Sequence, residues 1–114
     1  MKKEKTKEEQ IKSEKNKLKR IFKDIDSNKL NFVTTLIDRL AWLNVNIKDV
    51  EKDINEFGAV VKYDNGGGQT GIRENPNSKV RAQYTKDITT ITKQLIDLVP
   101  AKKKDSLLQE MMND

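Results

Sequence analysis

The stretch from residue 58 to residue 86, GAVVKYDNGGGQTGIRENPNSKVRAQYTK, most constrains what this chain can fold into. Ala59-Val60-Val61 and Thr70-Gly71-Ile72-Arg73 are β-prone runs that flank an Asn65-Gly66 step and two further glycines. Asn-Gly is a strong hairpin signal because both residues tolerate positive φ, and three successive glycines lengthen and loosen the tip. The proline of Asn75-Pro76 pushes its predecessor away from helical angles and so stops the second strand. Asn77 and Ser78 are then candidate N-caps for a long helical pattern. The sequence therefore predicts one small β-hairpin, residues 59–73, between two helical halves.

The helical halves carry apolar residues at spacings of three and four. Ile11, Leu18, Ile21, Phe22 and Ile25 fall within an arc of roughly 100° and predict a first helix, broken at Asp26-Ser27-Asn28. Residues 1–10 are almost wholly charged and are expected to fray. A second helix is predicted over residues 28–43. Leu30, Val33, Leu36, Ile37, Leu40, Ala41 and Leu43 cover nearly half its perimeter, with Phe32 widening the arc and Trp42 apart from it. Asn46 to Asp49 resembles a capping box and predicts a third helix bearing Ile47, Val50, Ile54 and Phe57, closed by Gly58. The second and third helices would then form a helical hairpin. A fourth helix over residues 78–98 carries Val80, Tyr84, Ile88, Ile91, Leu95 and Leu98 on one stripe, with Ile96 off it. Pro100 ends it. Leu107, Leu108, Met111 and Met112 give an amphipathic tail that either packs on the core or docks elsewhere. The resulting organisation is a basic N-terminal helical arm (1–26), a helical core with the β-hairpin (27–100) and a C-terminal tail (101–114). The fold class is mainly α.

Composition narrows the chemistry. Of 114 residues, 34% are hydrophobic and 36% charged, which is polar for a monomer and favours a chain that completes its core by oligomerising. An apolar perimeter around Leu36, Leu40 and Trp42, together with Ile96, is the candidate self-interface, for which a cyclic head-to-tail assembly is expected. With no histidine and no cysteine, imidazole triads, His-ligated zinc and thiolate metal sites are excluded. The glycine tip lacks the Lys-Ser/Thr and helix start of a nucleotide loop, and Gly66 and Gly68 occupy positions where a calcium loop needs oxygen ligands. No catalytic residue, metal or cofactor is expected. No apolar run approaches the roughly 18 residues of a membrane span.

The net charge is +5, and residues 1–26 hold 10 Lys/Arg against 6 Asp/Glu. Lys12, Lys19 and Lys23 share a stripe of the first helix, with Arg20 at its edge and Lys15 on the other flank. These five are either a solvated face or a ridge that lies against a phosphate backbone, binding weakly and without base readout. Glu8, Glu9 and Glu14 dilute that field.

Residues 28–100, with Gly58-Ala59-Val60-Val61, the Asn65-Gly66 tip, Asn75-Pro76, Tyr84 and the Leu-rich end closed by Pro100, resemble the small subunit of tailed-bacteriophage terminases. The resemblance is to the group with an Asn-Pro step before the last long helix. It implies a ring-shaped homo-oligomer that recognises viral double-stranded DNA and regulates the large packaging ATPase-nuclease subunit in the host bacterial cytoplasm. The 27 residues before the second predicted helix are too few for a separate three-helix DNA-binding domain. DNA binding is therefore expected from the basic first helix or the ring's own surface. The rival reading is a helical protein-interaction module that does not bind DNA.

Overall fold

The computed structural model describes residues 4–64 and 66–113, so the Asn65 half of the expected Asn-Gly tip lies outside the described residues. Helix α1 spans Lys7–Ile21, and a 3-10 turn at Ser27–Lys29 leads into α2, Leu30–Phe57. Strands β1 (Val60–Asp64) and β2 (Thr70–Glu74) form an antiparallel hairpin, followed by α3, Pro76–Asp97. A second 3-10 turn, Ala101–Lys103, precedes α4, Lys104–Met112. The molecule is thus mainly helical with one small two-stranded sheet, and it is elongated, 63 × 37 × 26 Å.

The main departure from the expected architecture is α2. The sequence predicted a break at residues 44–46, yet α2 runs unbroken for 28 residues. No glycine or proline interrupts it, and asparagine costs a helix interior only about 0.5–0.7 kcal/mol relative to alanine. Packing outweighs that cost, because Ala41, Leu43 and Val45 are all buried. Nor does Asn46 cap anything: its Nδ2 donates to the Trp42 carbonyl one turn back (2.8 Å), and its Oδ1 accepts from Lys7 Nζ (3.3 Å). The helical hairpin is therefore made by α2 and α3, with the β-hairpin as their connection.

Other boundaries also move. The expected fraying of residues 7–10 gives way to helix, because Thr6 and Glu9 form a capping box in which the Thr6 hydroxyl accepts from the Glu9 amide. Helix α1 ends at Ile21 rather than near residue 25; Phe22 is its C-cap, and the Asp26 carboxylate accepts from the Asn28 amide to open the next turn. The cap of α3 is Asn75, not Asn77 or Ser78, with Pro76 in the first turn, where its missing N–H costs nothing.

Helix α2 packs against α1 on one side and α3 on the other. The pairs Lys7–Asp49 and Lys15–Asp38 count up along α1 and down along α2, which makes the two antiparallel. The pairs Arg81–Glu51 and Tyr84–Trp42 do the same for α3. One apolar cluster results: Leu18, Ile21 and Phe22 from the α1 end, Val33, Leu36, Ile37, Leu40 and Ala41 from α2, Leu95 and Val99, and Leu107 from α4. The C-terminal tail thus packs on the core through Leu107. A fully buried leucine such as Leu95 contributes about 1.5–3 kcal/mol of transfer free energy.

The hairpin sits at the other end and touches the helices only lightly. Its register pairs Tyr63 with Gly71 and Lys62 with Ile72. A Cβ at Gly71 would lie 2.7 Å from the Tyr63 hydroxyl oxygen, so the phenol ring lies over the glycine and would have to swing aside for a larger residue. At the tip, the Gly66 amide donates to Asp64 Oδ1 (2.7 Å) and Gln69 N to the Gly66 carbonyl (3.0 Å).

One polar clasp anchors the hairpin. Asn75 is buried, 3% exposed. Its Oδ1 accepts from the Asn77 amide (2.9 Å), and its Nδ2 donates to the Gly58 carbonyl (2.9 Å) and to Asp53 Oδ2 (3.1 Å). Its backbone N–H donates to the Ala59 carbonyl (2.7 Å). The side chain thereby joins the end of α2, both roots of the hairpin and the start of α3. Asn75→Ala removes the cap and leaves the Gly58 carbonyl without this donor. We expect a loss of about 2 kcal/mol in urea unfolding followed by circular dichroism; a loss below about 0.5 kcal/mol would show that the clasp does not hold the corner.

Candidate nucleic-acid interface

The structure divides the five cations singled out on the first helix. Lys12, Lys19 and Arg20 are exposed on α1. Lys23 is exposed too, but it lies in the turn beyond Phe22, so it does not continue a helical stripe. Among the described residues, none of these four has an ion-pair partner. Lys15 differs: it is half-buried and its Nζ lies 3.5 Å from Asp38 Oδ1 on α2. It serves the α1–α2 contact, as does Lys7, which pairs with Asp49. Lys15 is one turn before buried Leu18, so the helical wheel placed it beside the packing stripe; its partner could be found only from the register of α1 on α2.

The proposed self-interface residues also separate. Leu36 and Leu40, 8% and 2% exposed, lie in the apolar cluster of this chain and not on its surface. The apolar perimeter of α2 is filled within the chain because α1 and α3 flank it on two sides. Trp42 remains at the surface, 45% exposed. Ile96 is half-buried against the core and lines a shallow groove with Ile88, Thr89, Thr92 and Lys93. The exposed apolar set also includes Leu30, Phe32, Phe57, Val60, Ile72, Leu108 and Met112, which sequence periodicity alone did not mark as surface.

Between α2 and α3 the Trp42 and Tyr84 rings meet edge to face, centroids 5.6 Å apart and planes at 75°. They form part of an open groove of about 750 Å³ whose polar lining includes Asp38, Arg39 and Asp87. The pairing of these two aromatics has no local sequence signal, since they are 42 positions apart. Across α2 and α3, Arg81 Nε donates to Glu51 Oε2 at 3.1 Å.

Among the described residues no three His, Cys, Asp or Glu side chains group to hold a metal, and no helix is long and apolar enough to cross a membrane. The Asp53 carboxyl departs from ordinary aspartate behaviour. Hydrogen bonds from Asn77 Nδ2 (2.8 Å) and then Asn75 Nδ2 hold Asp53 below the usual aspartate value, against an opposing push from burial. The group belongs to the clasp and not to the basic surface.

Compared with protein-family models, curated proteins and solved structures, the chain finds no match.

A carboxyl with a lowered native pKa stabilises the fold above its unfolded value of 3.8, and that contribution disappears as pH falls through the native value. Asp53→Asn keeps an acceptor but removes the charge. The wild type should be the more stable of the two at neutral pH, with the difference shrinking below pH 3.8. Unfolding curves collected from neutral to acid pH measure this, and a difference independent of pH would refute it.

Proposed function

We propose that this chain is the small subunit of a tailed-bacteriophage terminase. In this reading it recognises viral double-stranded DNA, assembles with copies of itself into a ring and regulates the large packaging ATPase-nuclease in the host bacterial cytoplasm. The observation that carries the reading is the exposed set Lys12, Lys19, Arg20 and Lys23, which among the described residues has no internal ion-pair partner. Cations free of internal carboxylates are available to displace counterions from a phosphate backbone. The reading also draws on the mainly helical fold and on the hairpin that precedes a long helix capped by Asn75-Pro76, whereas the helical hairpin expected before Gly58 is one continuous helix.

Exposed apolar side chains support self-association. Trp42, Phe57, Val60 and Ile72 are each at least 45% exposed, and a repeated head-to-tail contact would cover surface of this kind. Repetition also gives weak lysine contacts useful strength, since a ring that touches one duplex through several copies gains avidity. A second reading, a protein-interaction module, draws on the Trp42–Tyr84 groove, because aromatic side chains flanked by charge are common at protein interfaces.

Duplex DNA binding and mass in solution test the proposal together. At low salt the chain should bind a duplex from a phage packaging-start region, with affinity falling steeply as salt rises. Light scattering at micromolar concentration should give a closed multiple of 13.2 kDa. A strict monomer that fails to bind duplex at low salt would contradict the proposal and favour the protein-interaction reading.

A further inference from the structure

The antiparallel helices bring distant cations to one end of the molecule. Leu18, Ile21, Phe22, Val33, Leu95, Val99 and Leu107 lie in one buried cluster, at the end away from the hairpin. Lys19 and Arg20 stand between Leu18 and Ile21, and Lys23 follows Phe22 directly. Lys29 precedes Val33 by about one helical turn, and Lys102 and Lys103 stand between Val99 and Leu107. Each of these six is within four residues of a side chain buried in that cluster, and all six are exposed. Three chain segments, the end of α1, the turn into α2 and the turn after α3, thus present cations around one end.

The charge is uneven along the molecule. Residues 18–37 and 92–107 hold eight Lys/Arg against four Asp, whereas residues 47–91, which include the hairpin, hold seven of each sign. Among the four acids, Asp26 is engaged in capping the Asn28 amide. Asp24, Asp97 and Asp105 are exposed, and among the described residues none of them forms an ion pair with the six cations. The end opposite the hairpin therefore carries a net positive field with its ammonium groups facing water. Fields of this kind attract polyanions at long range.

We propose that Lys29, Lys102 and Lys103, together with Lys19, Arg20 and Lys23, form one phosphate-backbone contact surface for double-stranded DNA at this end of the bundle. The surface rests on the DNA-binding reading above and relocates its centre from the length of α1 to the junction of three segments. Lysine ammonium groups act here as point charges, so the surface positions a duplex without reading its bases. The turn after Pro100 supplies contacts that a single helix lacks.

The test compares the full-length parent with two triple variants of equal charge change, each first shown by circular dichroism to retain its helicity. One is Lys29→Ala/Lys102→Ala/Lys103→Ala. The other, Lys52→Ala/Lys62→Ala/Lys86→Ala, removes exposed lysines from the half that includes the hairpin. Affinity for a duplex is measured by anisotropy across a salt series, with phosphatidylserine-containing vesicles as a parallel arm. The first variant should lose about tenfold in affinity at low salt and show a log–log salt slope shallower by about 2–3, since each phosphate contact contributes close to 0.9. The second should track the parent. If the parent binds DNA and both variants behave alike, this surface is refuted while the DNA-binding reading stands. Failure of the parent to bind duplex refutes both, as does binding to vesicles alone.

Discussion

Everything in this molecule is measured against one helix. Because α2 is apolar around much of its circumference and unbroken over 28 residues, it can be covered only by partners on two sides. Helix α1 takes one flank and α3 the other, and both run antiparallel to it, α1 through a short turn and α3 through the β-hairpin that reverses the chain. That arrangement gathers the end of α1, the start of α2 and the end of α3 around Leu95 and Val99, and sends the hairpin to the opposite pole. Leu36 and Leu40 become core residues for the same reason.

The second constraint is polar and local. A two-stranded hairpin is marginal by itself, and this one makes little contact with the helices. It is held at its base by Asn75, whose side chain and amide together reach Asp53, Gly58, Ala59 and Asn77. A buried amide is tolerable only when its donors and acceptor are all engaged, and here both amide protons and the oxygen have partners. The Asn-Pro step is thus both the cap of α3 and the hinge pin of the hairpin, which explains why asparagine suits this position better than serine or aspartate. Neither of those could donate twice while accepting once.

Much of the architecture was legible in the residues. The hairpin, the apolar stripes of α1, α2 and α3, and the stop at Pro100 follow from local pattern, and the structure has them. The continuity of α2 was not legible, because Asn44 and Asn46 carry a turn-like signal that tertiary burial of Leu43 and Val45 overrides. The capping box Thr6–Glu9 was present in the sequence but lay within a run of charge that reads as frayed. Contacts that depend on register could not be read at all. Tyr63 over Gly71 needs the strand pairing, while Lys15 with Asp38 and Trp42 with Tyr84 need the alignment of neighbouring helices. The candidate basic surface was half visible: the α1 cations stood out in the charge count, but that the neighbours of Lys102 and Lys103 in the chain, Val99 and Leu107, share a buried cluster with Leu18 and Phe22 follows only from the antiparallel packing.

The continuity of α2 therefore decides both the core and the charge distribution. Leu30 and Phe57 lie at its two ends, each 61% exposed, and the chain has no cysteine of its own. Spin labels on Leu30→Cys/Phe57→Cys, diluted into unlabelled protein so that only distances within one chain are seen, report its length by dipolar spectroscopy. A continuous helix places the labelled backbone positions about 40 Å apart, at ~1.5 Å per residue. A single distance near that value is the predicted result. A distance of about 10–20 Å, as for two helices folded back on each other at residues 44–46, would contradict the account.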